Sequence, residues 1–127
     1  MTIKVKVISK KNPRDINSLP RFYASAQHDA KIDLDGLATS VSDRCSLRRA
    51  DVHGVLVALM DIIPQQLSEG KTIALGQLGT FAVNVKSNPA DTVEQMSPKL
   101  VKGMKIQYRP TKELKKKLKM IDVSFAS

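Results

Sequence analysis

An α+β fold of a single domain is what this sequence predicts, on three observations. Two apolar stripes at helical spacing follow each other through residues 33–69. Runs that alternate apolar with polar residues lie on both sides of them. The length, 127 residues with 42% apolar content, suits one domain with an ordinary core and leaves much surface for a partner to cover.

The first alternating run is Ile-Lys-Val-Lys-Val-Ile at residues 3–8. It puts Ile3, Val5 and Val7 on one face and Lys4 and Lys6 on the other, the pattern of a half-exposed strand. Two prolines and Asn12 break it, so residues 9–20 read as a loop. Arg-Phe-Tyr-Ala-Ser-Ala at 21–26 is a candidate second strand. From Asp33, a suitable N-cap, the residues Leu34, Leu37, Ala38, Val41 and Cys45 mark one face of an amphipathic helix. That spacing predicts Cys45 as a small buried hydrophobe, not a reactive thiol. A longer helix is predicted over about residues 48–69, with Val52, Val55, Leu56, Leu59, Met60, Ile63 and Leu67 on a wide stripe that Val57 and Ile62 extend. Pro64 predicts a kink in it and not an end, since the stripe resumes at Leu67, and Gly70 is the predicted C-cap. Asp51 and His53 read as polar residues of a solvated helix face.

Thr-Ile-Ala-Leu-Gly-Gln-Leu-Gly-Thr-Phe-Ala-Val-Asn-Val at 72–85 predicts a strand, a tight glycine turn and a second strand with Phe81, Val83 and Val85 facing in. A phosphate loop is a poor reading of these glycines. Glu-Gly-Lys-Thr at 69–72 lacks the glycine that such a loop needs at position 65, which is Gln. Gly76 and Gly79 lack the third glycine and the following helix of a dinucleotide site. A hairpin turn, where glycine takes positive φ cheaply, accounts for them. Residues 87–99 form a polar insertion containing Pro89 and Pro98. A further strand follows, with Met104, Ile106 and Tyr108 on its core face and Lys105, Gln107 and Arg109 on the other. After Pro110, Leu114, Leu118 and Ile121 mark the apolar stripe of a basic helix.

The formal net charge of +9 is unevenly spread: +5 over residues 1–31, −3 over 32–70 and +7 over 71–127. Basic ends around an acidic middle predict a cationic surface built by the ends, for which a polyanion is the natural partner. One cysteine excludes an intrachain disulfide, and His28 and His53 are 25 positions apart, so neither a metal site nor a cofactor is expected. No nucleophile–base pair or paired carboxylate suggests an enzyme or a small-molecule substrate. No stretch reaches the roughly 18 apolar residues of a membrane span, and the N-terminal residues do not read as a secretory leader, so a cytoplasmic protein is expected.

The order of two helices, Glu-Gly-Lys-Thr-Ile-Ala-Leu-Gly-Gln-Leu-Gly-Thr-Phe-Ala-Val, an interrupted hairpin, and Lys-Ile-Gln-Tyr-Arg-Pro-Thr-Lys-Glu-Leu-Lys-Lys-Lys-Leu resembles the HU and integration host factor family of bacterial nucleoid proteins. The resemblance implies an intertwined homodimer whose helices form a base and whose two three-stranded sheets form a saddle that receives DNA. It implies one domain over 1–127, with residues 32–121 as the HU-like core. Residues 1–31 are then a basic β extension, similar to that of an HU-like subgroup found mainly in Bacteroidetes. Family members usually carry a long arginine-rich arm ending in a proline that wedges between base pairs. Here Pro89 is the candidate intercalating residue, but Asp91 and Glu94 follow it in place of arginines, which suits an ordinary turn proline better.

The function expected on this basis is non-enzymatic, largely sequence-independent binding of double-stranded DNA in the bacterial nucleoid. Lys86, Lys105 and Arg109 lie on the polar face of the saddle strands, Lys99 and Lys102 lead into it, and Lys112, Lys115 and Lys116 decorate the helix beside it. They would neutralise phosphates without reading bases. Two other readings fit the charge: a protein-interaction module on the same fold with weak nucleic-acid binding, and an RNA binder.

The over-wide stripe of residues 52–67 makes a prediction of its own. A lone chain would expose Val57, Ile62 and their neighbours, and burying each such side chain is worth roughly 1.5–3 kcal/mol. Dissociation and unfolding should therefore be coupled, and the melting temperature should rise with protein concentration. A well-folded monomer in sedimentation at low micromolar concentration would contradict this.

Overall fold

A computed structural model of the chain describes residues 1–125. The fold is mixed α+β, with three helices and two three-stranded sheets. Its described residues divide into two compact units: residues 1–32 with 116–125, and residues 33–115.

In the first unit, β1 (Thr2–Lys10) and β2 (Arg21–Ala26) form an antiparallel hairpin in which Val7 faces Ala24 and Lys10 faces Arg21. The loop between them is folded by short-range bonds, among them the Arg14 N–H donating to Asn12 Oδ1 and the Asn17 N–H donating to Asp15 Oδ1. A strand that the sequence pattern does not announce, β6 (Asp122–Phe125), pairs parallel with the other edge of β1, Ile3 facing Val123. The sheet order is therefore β2-β1-β6. Val5, in the central strand, is its buried residue.

The second unit opens with α1 (Leu34–Ser42), capped as predicted: the Gly36 N–H donates to Asp33 Oδ1 at 2.9 Å. α1 ends three residues before Cys45, which is exposed in the following bend and not on the apolar helix face. The stripe fails there because the backbone tightens after Asp43: the Arg44 N–H donates to Val41 O and the Cys45 N–H to Ser42 O, three residues back instead of four. α2 (Arg49–Ser68) runs through Pro64 without ending. Its C-terminus closes at Gly70 (φ 84°), where the Gly70 N–H donates to Leu67 O and the Lys71 N–H to Gln66 O, the paired bonds of a Schellman motif. Ala38, Val52 and Leu67 are the buried apolar side chains of this unit. Across the helix pair, Asp35 lies 3.7 Å from Arg49 Nη2 and 3.0 Å from His53 Nδ1, so His53 faces Asp35 and not Asp51, without the alignment of a hydrogen bond.

The second sheet has the order β3-β4-β5, from β3 (Ile73–Ala74), β4 (Gly79–Ser87) and β5 (Val101–Pro110). The turn between β3 and β4 uses both glycines at positive φ, 54° at Gly76 and 137° at Gly79. Gly79 is constrained twice, since a Cβ there would overlap the Arg109 carbonyl oxygen and stand 2.9 Å from the Tyr108 ring. After β5 comes α3 (Lys112–Lys119), whose first turn is capped by Thr111 Oγ1 accepting from the Leu114 N–H. The helix stops short of Ile121, which leads into β6 and does not complete the helical stripe. Among the described residues no helix is long and apolar enough to cross a membrane.

Gly79→Ala should therefore destabilise the protein by about 2–3 kcal/mol or more, from a positive φ and a steric clash that only backbone movement relieves. The midpoint of urea unfolding checks this, and an unchanged midpoint would show that β4 and β5 do not approach so closely.

Candidate functional site

The pairing of β4 with β5 sorts side chains cleanly by face. Thr80 faces Arg109, Ala82 faces Gln107, Asn84 faces Lys105 and Lys86 faces Gly103. Because neighbours along a strand point to opposite sides, these residues share one face, and Phe81, Val83 and Val85 share the other with Tyr108, Ile106 and Met104. The first face is polar and cationic. Lys86, Lys105 and Arg109 are exposed on it, and the Asn84 amide donates to Gln107 Oε1 across the strands. Thr72, Thr80, Asn84, Gln107 and Arg109 border a shallow depression of about 220 Å³ there.

Beneath this face Phe81 stacks on Tyr108, with ring centres 4.9 Å apart and planes 28° from parallel. The Tyr108 hydroxyl donates to the Leu78 carbonyl at 2.7 Å, and the Thr111 hydroxyl donates to the Gln77 carbonyl. Both bonds tie the glycine turn to β5 and to the start of α3. The rest of the apolar face is less covered than its inward orientation predicts. Val85 is 56% exposed, Met104 68% and Ile106 65%. With Pro64 and Leu67 of α2, Val83, Val85 and Met104 line an open apolar groove of about 600 Å³.

Of the basic residues that the sequence marks, Lys86, Lys105 and Arg109 come together on one sheet face. Lys102 stands at a bulge, because Lys86 pairs with Gly103 and Ser87 already pairs with Val101. Lys99 lies in the single 3₁₀ turn Pro98–Leu100, at the same end of the sheet. Lys112 and Lys115 lie on α3 within the second unit, whereas Lys116 falls in the first. Pro89 is exposed in a short loop that the Asn88 N–H closes by donating to Leu100 O at 2.7 Å. Asn84 and Gln107 escape a search for charge alone, although their alternation with the flanking apolar residues places them in phase with Lys86 and Arg109.

A family model described as HU domain fused to wHTH, Ig, or glycine-rich motif matches residues 1–125. The fold is similar to the crystal structure of a candidate bacterial DNA-binding protein from Bacteroides vulgatus ATCC 8482, with a TM-score of 0.67 and 11% identity over 98% of this chain. This chain covers 47% of that one, about half its length. No curated protein matches the sequence.

The stack under the cationic face yields a stability test. Phe81→Ala should cost about 2–4 kcal/mol, the area and cavity terms of a half-buried ring together with its stacking partner. Tyr108→Phe should cost about 1 kcal/mol, the net worth of one hydrogen bond. Chemical denaturation ranks the two. A Phe81→Ala protein that keeps its full stability but loses ligand binding would place Phe81 on the opposite face, with the register off by one.

Proposed function

This chain belongs to the family of HU domains fused to wHTH, Ig or glycine-rich motifs, and from that premise we propose that it binds double-stranded DNA, without catalysis and largely without regard to sequence, as a nucleoid-associated protein. The observation that carries this reading is the division of the β4–β5 ribbon into a cationic and an apolar face. Lys86, Lys105 and Arg109 neutralise backbone phosphates and release their counterions, and Lys99 and Lys102 extend the contact at the bulged end. Lys112, Lys115 and Lys116 add charge along α3. The likeness to the Bacteroides vulgatus protein, itself described as a candidate DNA binder, supports the same assignment. Single-strand stacking is disfavoured, since Phe81 and Tyr108 belong to the face opposite the lysines.

We read the working form as an intertwined homodimer whose paired sheets make a saddle, with residues 1–31 as an extension on one HU-like domain. Surface area supports the dimer. The single chain exposes 11156 Å², where two separate compact units sharing its mass would expose roughly 8,000 Å² in total. Val55, Val57, Met60 and Ile62 of α2 and Met104 and Ile106 of β5 contribute to the excess and want a partner. Pro89 acts as a turn residue in this reading and not as a wedge, because its loop is short and folded back on itself.

Duplex affinity should then fall linearly with salt on logarithmic axes, at a slope near −0.9 per contacted phosphate. Lys105→Ala with Arg109→Ala should flatten that slope by about one unit for each phosphate no longer neutralised, and weaken all duplex sequences about equally. Pro89→Ala should change neither the slope nor the bend seen by end-to-end energy transfer. Retention of the full slope in the double variant, or a strong bend that vanishes with Pro89, would overturn this assignment of the surface.

A further inference from the structure

We propose that the sheet β2-β1-β6 carries a second phosphate-binding face, which contacts the backbone of duplex DNA in its own right; this rests on the duplex-binding reading above. The register of the first unit carries the inference. Lys4, Lys6, Ile8 and Lys10 share one face of β1, and β2 sets Tyr23 opposite Ile8 and Arg21 opposite Lys10 on that face. Ile3, Val5 and Val7 share the other face with Phe22. The sheet is thus divided as the β4–β5 ribbon is, into a cationic and an apolar side.

The charge balance points the same way. Residues 1–32 and 116–127 hold ten basic and three acidic side chains, and residues 33–115 hold eleven and nine, so the first unit accounts for +7 of the formal +9. Among the described residues none of Lys4, Lys6, Lys10, Lys11, Arg14 and Arg21 enters an ion pair, whereas Arg49, His53 and Lys71 of the second unit each lie beside a carboxylate. Asp122, opposite Thr2, is the carboxylate on the cationic face, and Asp15 in the hairpin loop is engaged by the Asn17 N–H at 3.1 Å. Beside the loop, Lys10, Lys11 and Arg21 line an open depression of about 440 Å³ with Asn12, Ser18 and Tyr23.

The chemistry of this face selects the phosphate backbone of a duplex. Alternate strand residues stand about 6.7 Å apart, so successive lysines reach separate phosphates instead of crowding one. Three of the four face cations are lysines, point charges without the bidentate fork that reads guanine. A stacking surface for single strands is lacking, because Phe22 is on the opposite side and Lys10 Nζ lies 5.9 Å from the centre of the Tyr23 ring. Ile8 is the one large aliphatic side chain among them, too little for insertion into a lipid interface.

The test compares three forms of the full chain on one duplex across a salt series: wild type, Lys4→Gln/Lys6→Gln/Lys10→Gln, and Lys31→Gln/Arg44→Gln/Arg48→Gln, which removes the same charge elsewhere. The face variant should flatten the log affinity against log salt slope by about 2–3 units, at roughly 0.9 for each phosphate it no longer neutralises. The control variant should move it by less than one unit. Equal effects of the two variants would reduce the face to bulk charge and overturn the proposal. So would a face variant that keeps the wild-type slope but loses binding to phosphatidylserine vesicles or to duplex RNA. Failure of wild type to bind duplex DNA at all would instead remove the reading on which this one stands. Should the face variant fail to fold, lysine acetylation of wild type read by mass spectrometry decides: Lys4, Lys6 and Lys10 should be protected by duplex, and full reactivity in the saturated complex would refute the site.

Discussion

The close approach of Gly79 to the Arg109 carbonyl fixes how β4 lies on β5, and the faces of the sheet depend on that register. Strand side chains alternate with a period of two, so a slip by one residue would exchange the two sides of a strand. Lys105 and Arg109 would then point toward α2, and Ile106 and Tyr108 would point away from it. Three features hold the register against such a slip. A side chain at position 79 would collide with β5, Tyr108 reaches over to the Leu78 carbonyl, and Thr111 binds the Gln77 carbonyl. The turn is thus fastened to β5 by side chains as well as by the ladder, and the aromatic stack of Phe81 on Tyr108 adds weight at the same point.

Asp122 of β6 aside, the acidic side chains lie off the strands, so they offset little of the sheets' charge. Asp33 caps α1, and Asp35 in its first turn meets Arg49 and His53 of α2. Asp51 lies in the first turn of α2, where a carboxylate is favoured by the exposed N–H groups and the helix dipole. The carboxylates near the helix starts therefore have local structural work, and the strands carry unpaired lysines. Charge is sorted here by secondary structure: each of the three α-helices carries an acid in its first turn, and the solvent faces of the ribbons take bases.

Much of this is legible in the sequence because it is local. The second strand runs over the candidate residues, Arg21–Ala26, and Asp33 caps the helix whose stripe begins beside it. Gly70, Gly76 and Gly79 take the positive φ that their place after a helix or within a turn demands. The cationic face of β4 and β5 is equally readable, since alternation alone puts Lys105, Gln107 and Arg109 together. The unreadable parts are those decided at a distance. β6 has four residues, and it is a strand because β1, from the other end of the chain, offers it an edge. A parallel pairing of that kind leaves no turn signal and little periodicity. Cys45 continues a numerical stripe, but a stripe says nothing about where the backbone stops being helical, and the tightened turn that begins at Arg44 ends the helix first. The bulge that frees Lys102 likewise arises from strand pairing and not from the residue itself.

For the proposed contact with duplex DNA, the polar neighbours of the lysines matter as much as the charge. Asn and Gln are the side chains that read adenine in the major groove, and both are present on the cationic face. Asn84 and Gln107, however, bond to each other across the strands, so the amide pair is occupied in holding the ribbon. Lys86 and Lys105 project from that closed surface as mobile point charges, and Arg109 stands beside Thr80 at its end. Such a surface responds to the density of phosphates and to the width over which they can be reached. A ribbon whose facing amides are tied to each other, and whose charges are mostly lysine, favours backbone contact over base readout.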